Sequence, residues 1–283
     1  MLPWYDAGVT EICQASREIA NRFTRLRPCV GRTSSVSGYL LNVTRSGALR
    51  KVSLFVVTDR HDAAMIFDLD GTLADSVYQH VSAWETSLRA NGIELSVWRI
   101  HRRIGMSGGL FVRALGRELG HDLTPELIAT LQRGHADAYA RLVDDVRPLP
   151  GARELLATLS AEGVPWAIAT SGSRDVASRT LRILAVPDDV PVVTRTDVAH
   201  AKPNPDLFLE AARQLKIEPR NAFVVGDSIW DLLAAQRAGS LGIGVLSGGY
   251  GDDELQEAGA YRVYEDPADL LLHLDELGIR VAL

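Results

Sequence analysis

From residue 63 onward, short uninterrupted apolar runs alternate with helical patterns, and this alternation restricts the chain to one class of fold. The runs are Ala63–Phe67, Val164–Ala169, Val190–Thr194, Ala222–Val225 and Leu241–Leu246. Helical periodicity fills 151–162, 173–184, 205–215 and 230–238 between them. A strand that is apolar at every position must be covered on both faces, which is the condition of a parallel sheet between two helical layers. The expected fold class is therefore α/β, a Rossmann-like doubly wound parallel sheet. Ligands of such sheets sit beyond the carboxyl ends of the strands.

Those ends carry the polar residues of interest. The first run leads into Asp68-Leu69-Asp70-Gly71-Thr72, the second into Thr170-Ser171-Gly172 and the fourth into Gly226-Asp227. Because side chains alternate along a strand, Asp68 and Asp70 can face one crevice, and Gly71 permits a sharp turn. Two carboxylates so spaced suit a nucleophile beside a general acid/base. Taken alone, the same spacing also reads as a turn or a calcium loop.

Between the first two core runs lies an insertion, residues 77–147. Its apolar positions repeat with helical period: Val77, Val81, Trp84 and Leu88; then Leu110, Phe111, Ala114 and Leu115; then Leu127, Leu131, Ala138 and Leu142, with Pro125 near the start of that helix. A small helical cap domain over the strand ends is expected, where it can exclude water and select substrate. The expected division is residues 1–62 as an N-terminal extension, 63–76 with 148–283 as the core, and 77–147 as the cap.

Charge separates the extension from the rest. Residues 1–62 hold nine basic and five acidic side chains, whereas 63–283 hold 21 and 31. An acidic main body argues against broad nucleic-acid binding through phosphates. The two cysteines, Cys13 and Cys29, form no CxxC pair, so neither a zinc site nor a disulfide framework is indicated. No stretch reaches the roughly 18 apolar residues of a transmembrane helix, and Asp6, Glu11 and Glu18 interrupt any signal-peptide pattern. A cytoplasmic protein, monomer or small homo-oligomer, without membrane partners is expected. Within the extension a modest helix over 9–27 and a strand over 51–58 are expected; an alternative start of the working protein lies near Met65.

The motifs together resemble a known family. FDLDGTLADS at 67–76 is similar to the first motif of the haloacid dehalogenase superfamily, in its phosphatase branch. Thr170-Ser171-Gly172, Lys202-Pro203-Asn204-Pro205-Asp206, and Gly226-Asp227-Ser228 with Asp231 follow in the family's order, and GGYGDDELQEAGA at 248–260 resembles its small-molecule phosphatases. The resemblance covers about 63–283 and implies a Mg²⁺-dependent phosphatase acting on a small phosphorylated metabolite. It implies Asp68 as nucleophile, forming an aspartyl-phosphate, and Asp70 as general acid and then base. Asp68, the backbone carbonyl of Asp70, and Asp227 would hold Mg²⁺, a hard cation that favours oxygen ligands. Lys202, the Thr170 hydroxyl and the Ser171 N–H at a helix start would hold phosphate. Asp231, one turn beyond Asp227, would orient Lys202 or a metal-bound water, with Gly71 and Gly172 in support. Ser228 has a second reading as a helix cap, and Trp230 as packing.

Departures from neighbouring branches narrow the reading. A dehalogenase lacks the second aspartate and a phosphonate hydrolase has a small residue there, whereas Asp70 is present. Beta-phosphoglucomutase-like enzymes have a Lys-Gly-x-Ser-Arg stretch in the cap; the corresponding residues are Ile104-Gly105-Met106-Ser107-Gly108, without the lysine or the arginine. A mutase and a catalytically idle binding protein remain the alternatives. RRIGMSGGLFVRAL at 102–115 loosely resembles the specificity loop of phosphoglycolate-phosphatase-like enzymes, with Arg102 and Arg103 read either as contacts to an acidic substrate or as solvated side chains.

Overall fold

The computed structural model describes residues 38–43, 49–54, 63–118 and 123–279. The chain divides into two units, Met1–Val56 and Val57–Leu283. In the first, β1 (Gly38–Val43) and β2 (Leu49–Leu54) pair antiparallel. β2 overlaps the expected strand at 51–58, while β1 was not anticipated by periodicity. The expected helix over 9–27 and both cysteines lie outside the described residues.

The second unit is built on a six-stranded sheet. Its strands are β3 (Ala64–Phe67), β6 (Trp166–Ala169), β7 (Val192–Val193), β8 (Ala222–Gly226), β9 (Leu241–Val245) and β10 (Ala260–Tyr264), in the order β10-β9-β8-β3-β6-β7 and all parallel. A separate two-residue ribbon joins β4 (Ala74–Asp75) to β5 (Arg147–Pro148) and closes the insertion at its base. The α/β expectation holds, with β10 as an additional edge strand.

The period-2 geometry of the strands explains the continuous apolar runs. Met65 and Phe67, Trp166 and Ile168, and Phe223 and Val225 enter one core. Ile66, Ala167, Ala169, Ala222 and Val224 enter the core on the other face. The first core is covered by Leu155, Leu156 and Leu159 of α5 (Ala152–Ala161), with Ala177 of α6 (Arg174–Ile183). Leu207, Phe208 and Ala211 of α7 (Asp206–Leu215), with Ala234 and Ala235 of α8 (Ile229–Ala238), cover the second. Each buried Leu or Phe contributes about 1.5–3 kcal/mol relative to exposure. The central strand β3 is thus fixed on both faces and along both edges, and whatever follows it is held rigidly.

Residues 77–147 are helical, as expected: α1 (Val77–Ala90), α2 (Val97–His101), α3 (Gly108–Glu118) and α4 (Pro125–Leu142). Thr124 caps α4 by accepting from the Leu127 N–H, and Pro125 occupies its first turn. Val77, Val81, Trp84, Leu88, Phe111, Leu115 and Leu131 form their own buried cluster. Short helices α9 (Asp252–Glu257) and α10 (Pro267–Leu272) complete the fold. No described helix is long and apolar enough to cross a membrane.

Candidate active site

Asp68 immediately follows β3 and is almost fully buried, with its N–H donating to Val225 O at 2.9 Å. Leu69 packs into the core, so the chain turns and Asp70 reaches the same cavity from a loop, not from a strand. Gly71 takes φ +86°, and a Cβ there would stand 2.5 Å from Asp227 Oδ2. Only glycine fits that position.

Lys202 is completely buried and ion-paired to both Asp68 and Asp231, the latter at 2.8 Å. Burial alone would lower the lysine pKa, but Asp231 and Asp68 outweigh it and raise the value above normal. The two carboxylates thus favour the charged form of Lys202. Asp231 is not one helical turn along a common face from Asp227, as the spacing suggests. Asp227 precedes α8, whose N-cap is Ser228, and Asp231 is the third helical residue. Its Oδ2 accepts from the N–H and hydroxyl of Ser228, the reciprocal capping arrangement, which leaves Oδ1 for Lys202.

Carboxylate oxygens of Asp68, Asp227 and Asp231 lie within 4.8 Å of one another. Burial, then the neighbouring acids Asp231 and Asp70 against Lys202, pushes the Asp68 carboxyl up to about 7. Burial, then Asp231 and Asp68, holds Asp227 well above the usual carboxylate range. Thr72 donates to Asp227 Oδ1 at 2.8 Å. Among the described residues, Asp68 Oδ2 and Asp227 Oδ2 take no hydrogen bond. Two buried, mutually repelling acids with an oxygen each to offer, beside glycines that leave room, fit a hard divalent cation. Asp231 belongs to the same cluster, with Oδ1 facing Lys202 at 2.8 Å.

Asp70 is turned away from this cluster. Its Oδ1 accepts from Ser76 Oγ at 2.7 Å and lies 3.2 Å from His80 Nε2. Burial would raise its pKa, but His80 and Ser76 lower it below normal. His80 in turn meets His135 at 3.0 Å, stacks on Tyr139 at 4.0 Å between centroids, and His135 stacks on Trp84. His135 and Tyr139 have no sequence signal, because the contacts join α1 to α4 across 55 residues.

Across the cavity, Thr170 and Ser171 follow β6. Thr170 Oγ1 accepts from the Gly172 N–H at 3.0 Å, and the buried Ser171 hydroxyl has no partner. The helix falls in the expected 173–184 range, with Ser173 as its N-cap accepting from Val176 N–H, so Ser171 lies two residues ahead of the cap. The cavity holds about 270 Å³ and is lined by Asp68, Asp70, Thr170 and Ser171 on the core side and by residues of the helical insertion opposite. Of the expected site residues, Asp68, Asp70, Thr170, Ser171 and Gly172 line the crevice, while Lys202, Asp227 and Asp231 cluster with Asp68 and Gly71 lies against Asp227. Arg103 lines the same cavity but pairs with Glu118, whereas Arg102 is outside the lining, pairs with Glu254 and lies over the Tyr250 ring. Trp230 does more than pack, since Nε1 donates to Arg102 O at 3.3 Å.

A buried acid at the end of the central strand, a buried lysine from a later loop and a further acid beyond the adjacent strand are features of one family, and residues 63–239 match it: the chain belongs to the haloacid dehalogenase-like hydrolases. It is an enzyme of that family, and curated relatives are named phosphatases. The phosphoglycolate phosphatase of Neisseria meningitidis is 33% identical over 68% of this chain and 83% of its own. The beta-phosphoglucomutase of Bacillus subtilis is 32% identical over 75% of this chain and 92% of its own. A solved structure of a hydrolase from Pseudomonas syringae is 53% identical, with TM-score 0.75, covering 76% of this chain and 99% of that one.

Proposed function

We propose that this chain is a Mg²⁺-dependent phosphatase that hydrolyses a small organic phosphate monoester through an aspartyl-phosphate on Asp68. The observation that carries the reading is Lys202, fully buried and paired to Asp68 and Asp231 beneath the cavity. Phosphoryl transfer concentrates negative charge on equatorial oxygens, so catalysis is chiefly positioning and counter-charge.

Asp68 and Asp227, with the backbone carbonyl of Asp70, would hold Mg²⁺. When bound, the ion would offset the repulsion between an anionic nucleophile and an anionic phosphate. Lys202 balances charge on the nucleophile and one phosphate oxygen. The Thr170 hydroxyl and the Ser171 N–H hold the others, and the unpartnered Ser171 hydroxyl is a further donor for them. As the carboxylic acid, Asp70 would give a proton to the leaving alcohol, and the ionised form that His80 and Ser76 favour would then take one from the attacking water, with both side chains fixing its orientation. Residues 77–147 act as a cap that covers this centre.

The mutase reading is weaker. The cap stretch Ile104–Gly108 supplies no lysine or arginine for a second phosphate. Phosphate release from a panel of esters, with and without Mg²⁺, tests the proposal. The native chain is expected to release phosphate only with the metal, and Asp68→Asn to lose at least about 10³-fold in rate. Equal release by both proteins would refute it.

A further inference from the structure

The charge of the cavity wall bears on which alcohol carries the phosphate. The helical insertion contributes Trp84, Ile104, Met106, Phe111, Gln132 and His135 to that wall. None of these brings a positive charge: His135 is buried, and burial together with neighbouring His80 holds its pKa well below normal. His80 lines the cavity as well, and its ring is engaged by Asp70 at 3.2 Å and His135 at 3.0 Å. Arg103 also lines the cavity, but its guanidinium donates to Arg99 O at 2.7 Å and is paired with Glu118, which holds Arg99 as well. On the core side the lining arginine is Arg195. Its backbone N–H donates to Gly172 O at 2.9 Å, beside the Thr170–Ser171 loop at the phosphoryl end, and its guanidinium donates to Val198 O at 2.9 Å.

We propose, resting on the phosphatase reading, that the leaving group is a small uncharged hydroxylated alcohol, and that the wall rejects esters whose alcohol carries a second anionic group. A carboxylate entering there would lose its hydration and meet only guanidiniums already taken up, Arg103 by Glu118 and Arg99 O and Arg195 by Val198 O, which is a penalty on the wrong substrate as much as a fit to the right one. Hydroxyls, by contrast, can be satisfied by the Gln132 amide and the neutral ring of His135, while Trp84 and Phe111 cover the carbon skeleton. Two glycines keep the wall back: a Cβ on Gly108 would stand 3.0 Å from the Trp84 ring, and one on Gly109 3.4 Å from both Gln132 Nε2 and Arg113 Nη2, the arginine itself being exposed and outside the lining. A volume of about 270 Å³ falls at the lower edge of small-molecule sites, which suits a small ester.

Matched ester pairs test this on the full chain with Mg²⁺. Hydroxyethyl phosphate against phosphoglycolate, and glycerol phosphate against phosphoglycerate, each exchange a neutral alcohol for a carboxylate. The neutral member of each pair is expected to have a kcat/KM about tenfold higher or more. Equal values, or preference for the acids, would overturn the inference while leaving the phosphatase reading intact. Failure to turn over any ester, p-nitrophenyl phosphate included, would instead remove the phosphatase reading and this inference with it. Gln132→Arg adds the missing cation and should shift the ratio about fivefold or more toward phosphoglycolate. An unchanged ratio in a variant with native circular dichroism would show that this wall does not face the alcohol.

Discussion

At the scale of single residues, the site depends on close approaches that glycine alone permits. Gly248, in the turn after β9, stands against Asp227 so closely that a Cβ would fall 1.8 Å from Oδ2. Gly71 presses on the same oxygen from the opposite loop, and Ser247 ties the two loops by donating to Gly71 O at 2.6 Å. Gly248→Ala must therefore displace the Asp227 carboxylate. We expect Mg²⁺ affinity, measured by calorimetry, to fall about tenfold or more, with the fold retained. Native affinity would show that Asp227 is not a ligand. The role of Gly71 could be read from its place after two acids, because a sharp turn there needs glycine. That of Gly248 could not, since Gly248-Gly249-Tyr250-Gly251 reads as a loop until the fold sets it beside Asp227.

At the scale of elements, the turn joining α2 to α3 is latched to the core loops. Arg102 pairs with Glu254 and covers the Tyr250 ring at 4.0 Å, while Tyr250 and Trp230 both donate to Arg102 O. His101 Nε2 reaches Gly248 O at 2.8 Å. The Arg102–Glu254 pair is partly exposed, so its loss should cost at most about 1 kcal/mol of stability. Its effect should appear in closure instead: Arg102→Ala is expected to lower kcat/KM several-fold, mainly through KM, with Tm shifted by only a few degrees. Unchanged kinetics would show that the latch does not govern access. Elements were legible wherever burial was uniform. β3, β6 and β8 announce themselves as unbroken apolar runs, whereas β10, an edge strand with Arg262 exposed, mixes polar and apolar residues and gives no such signal. The His80–His135 and Arg103–Glu118 contacts were illegible because they depend on how insertion helices pack, not on local pattern.

For the whole molecule, the acidity of residues 63–283 is partly concentrated in one place. Asp68, Asp227 and Asp231 share a buried centre with a single lysine between them. The Asp68 carboxyl, pushed up to about 7 mainly by burial, favours its protonated form in the fold, and Asp227 is shifted in the same direction. A carboxyl raised above its unfolded value stabilises the protein at low pH and loses that contribution as pH rises through its folded value. Without metal, Tm should accordingly fall by several degrees between about pH 5 and 8. Saturating Mg²⁺ should raise Tm and flatten the dependence, because it favours the ionised acids. Identical melting profiles in EDTA and Mg²⁺ would argue against the cluster as a cation site.

The proposed chemistry turns above all on Asp68 as the residue that receives the phosphoryl group. Asp70→Asn keeps that nucleophile but lacks the base that would activate water, and p-nitrophenyl phosphate needs no acid to help its leaving group depart. Mixing this variant with that ester and Mg²⁺, followed by acid quench and peptide mass spectrometry, should find the mass of a phosphoryl group on the peptide containing Asp68. No adduct should form in the Asp68→Asn, Asp70→Asn double variant. Turnover of the ester with no adduct at Asp68, or an adduct on another residue, would contradict the account.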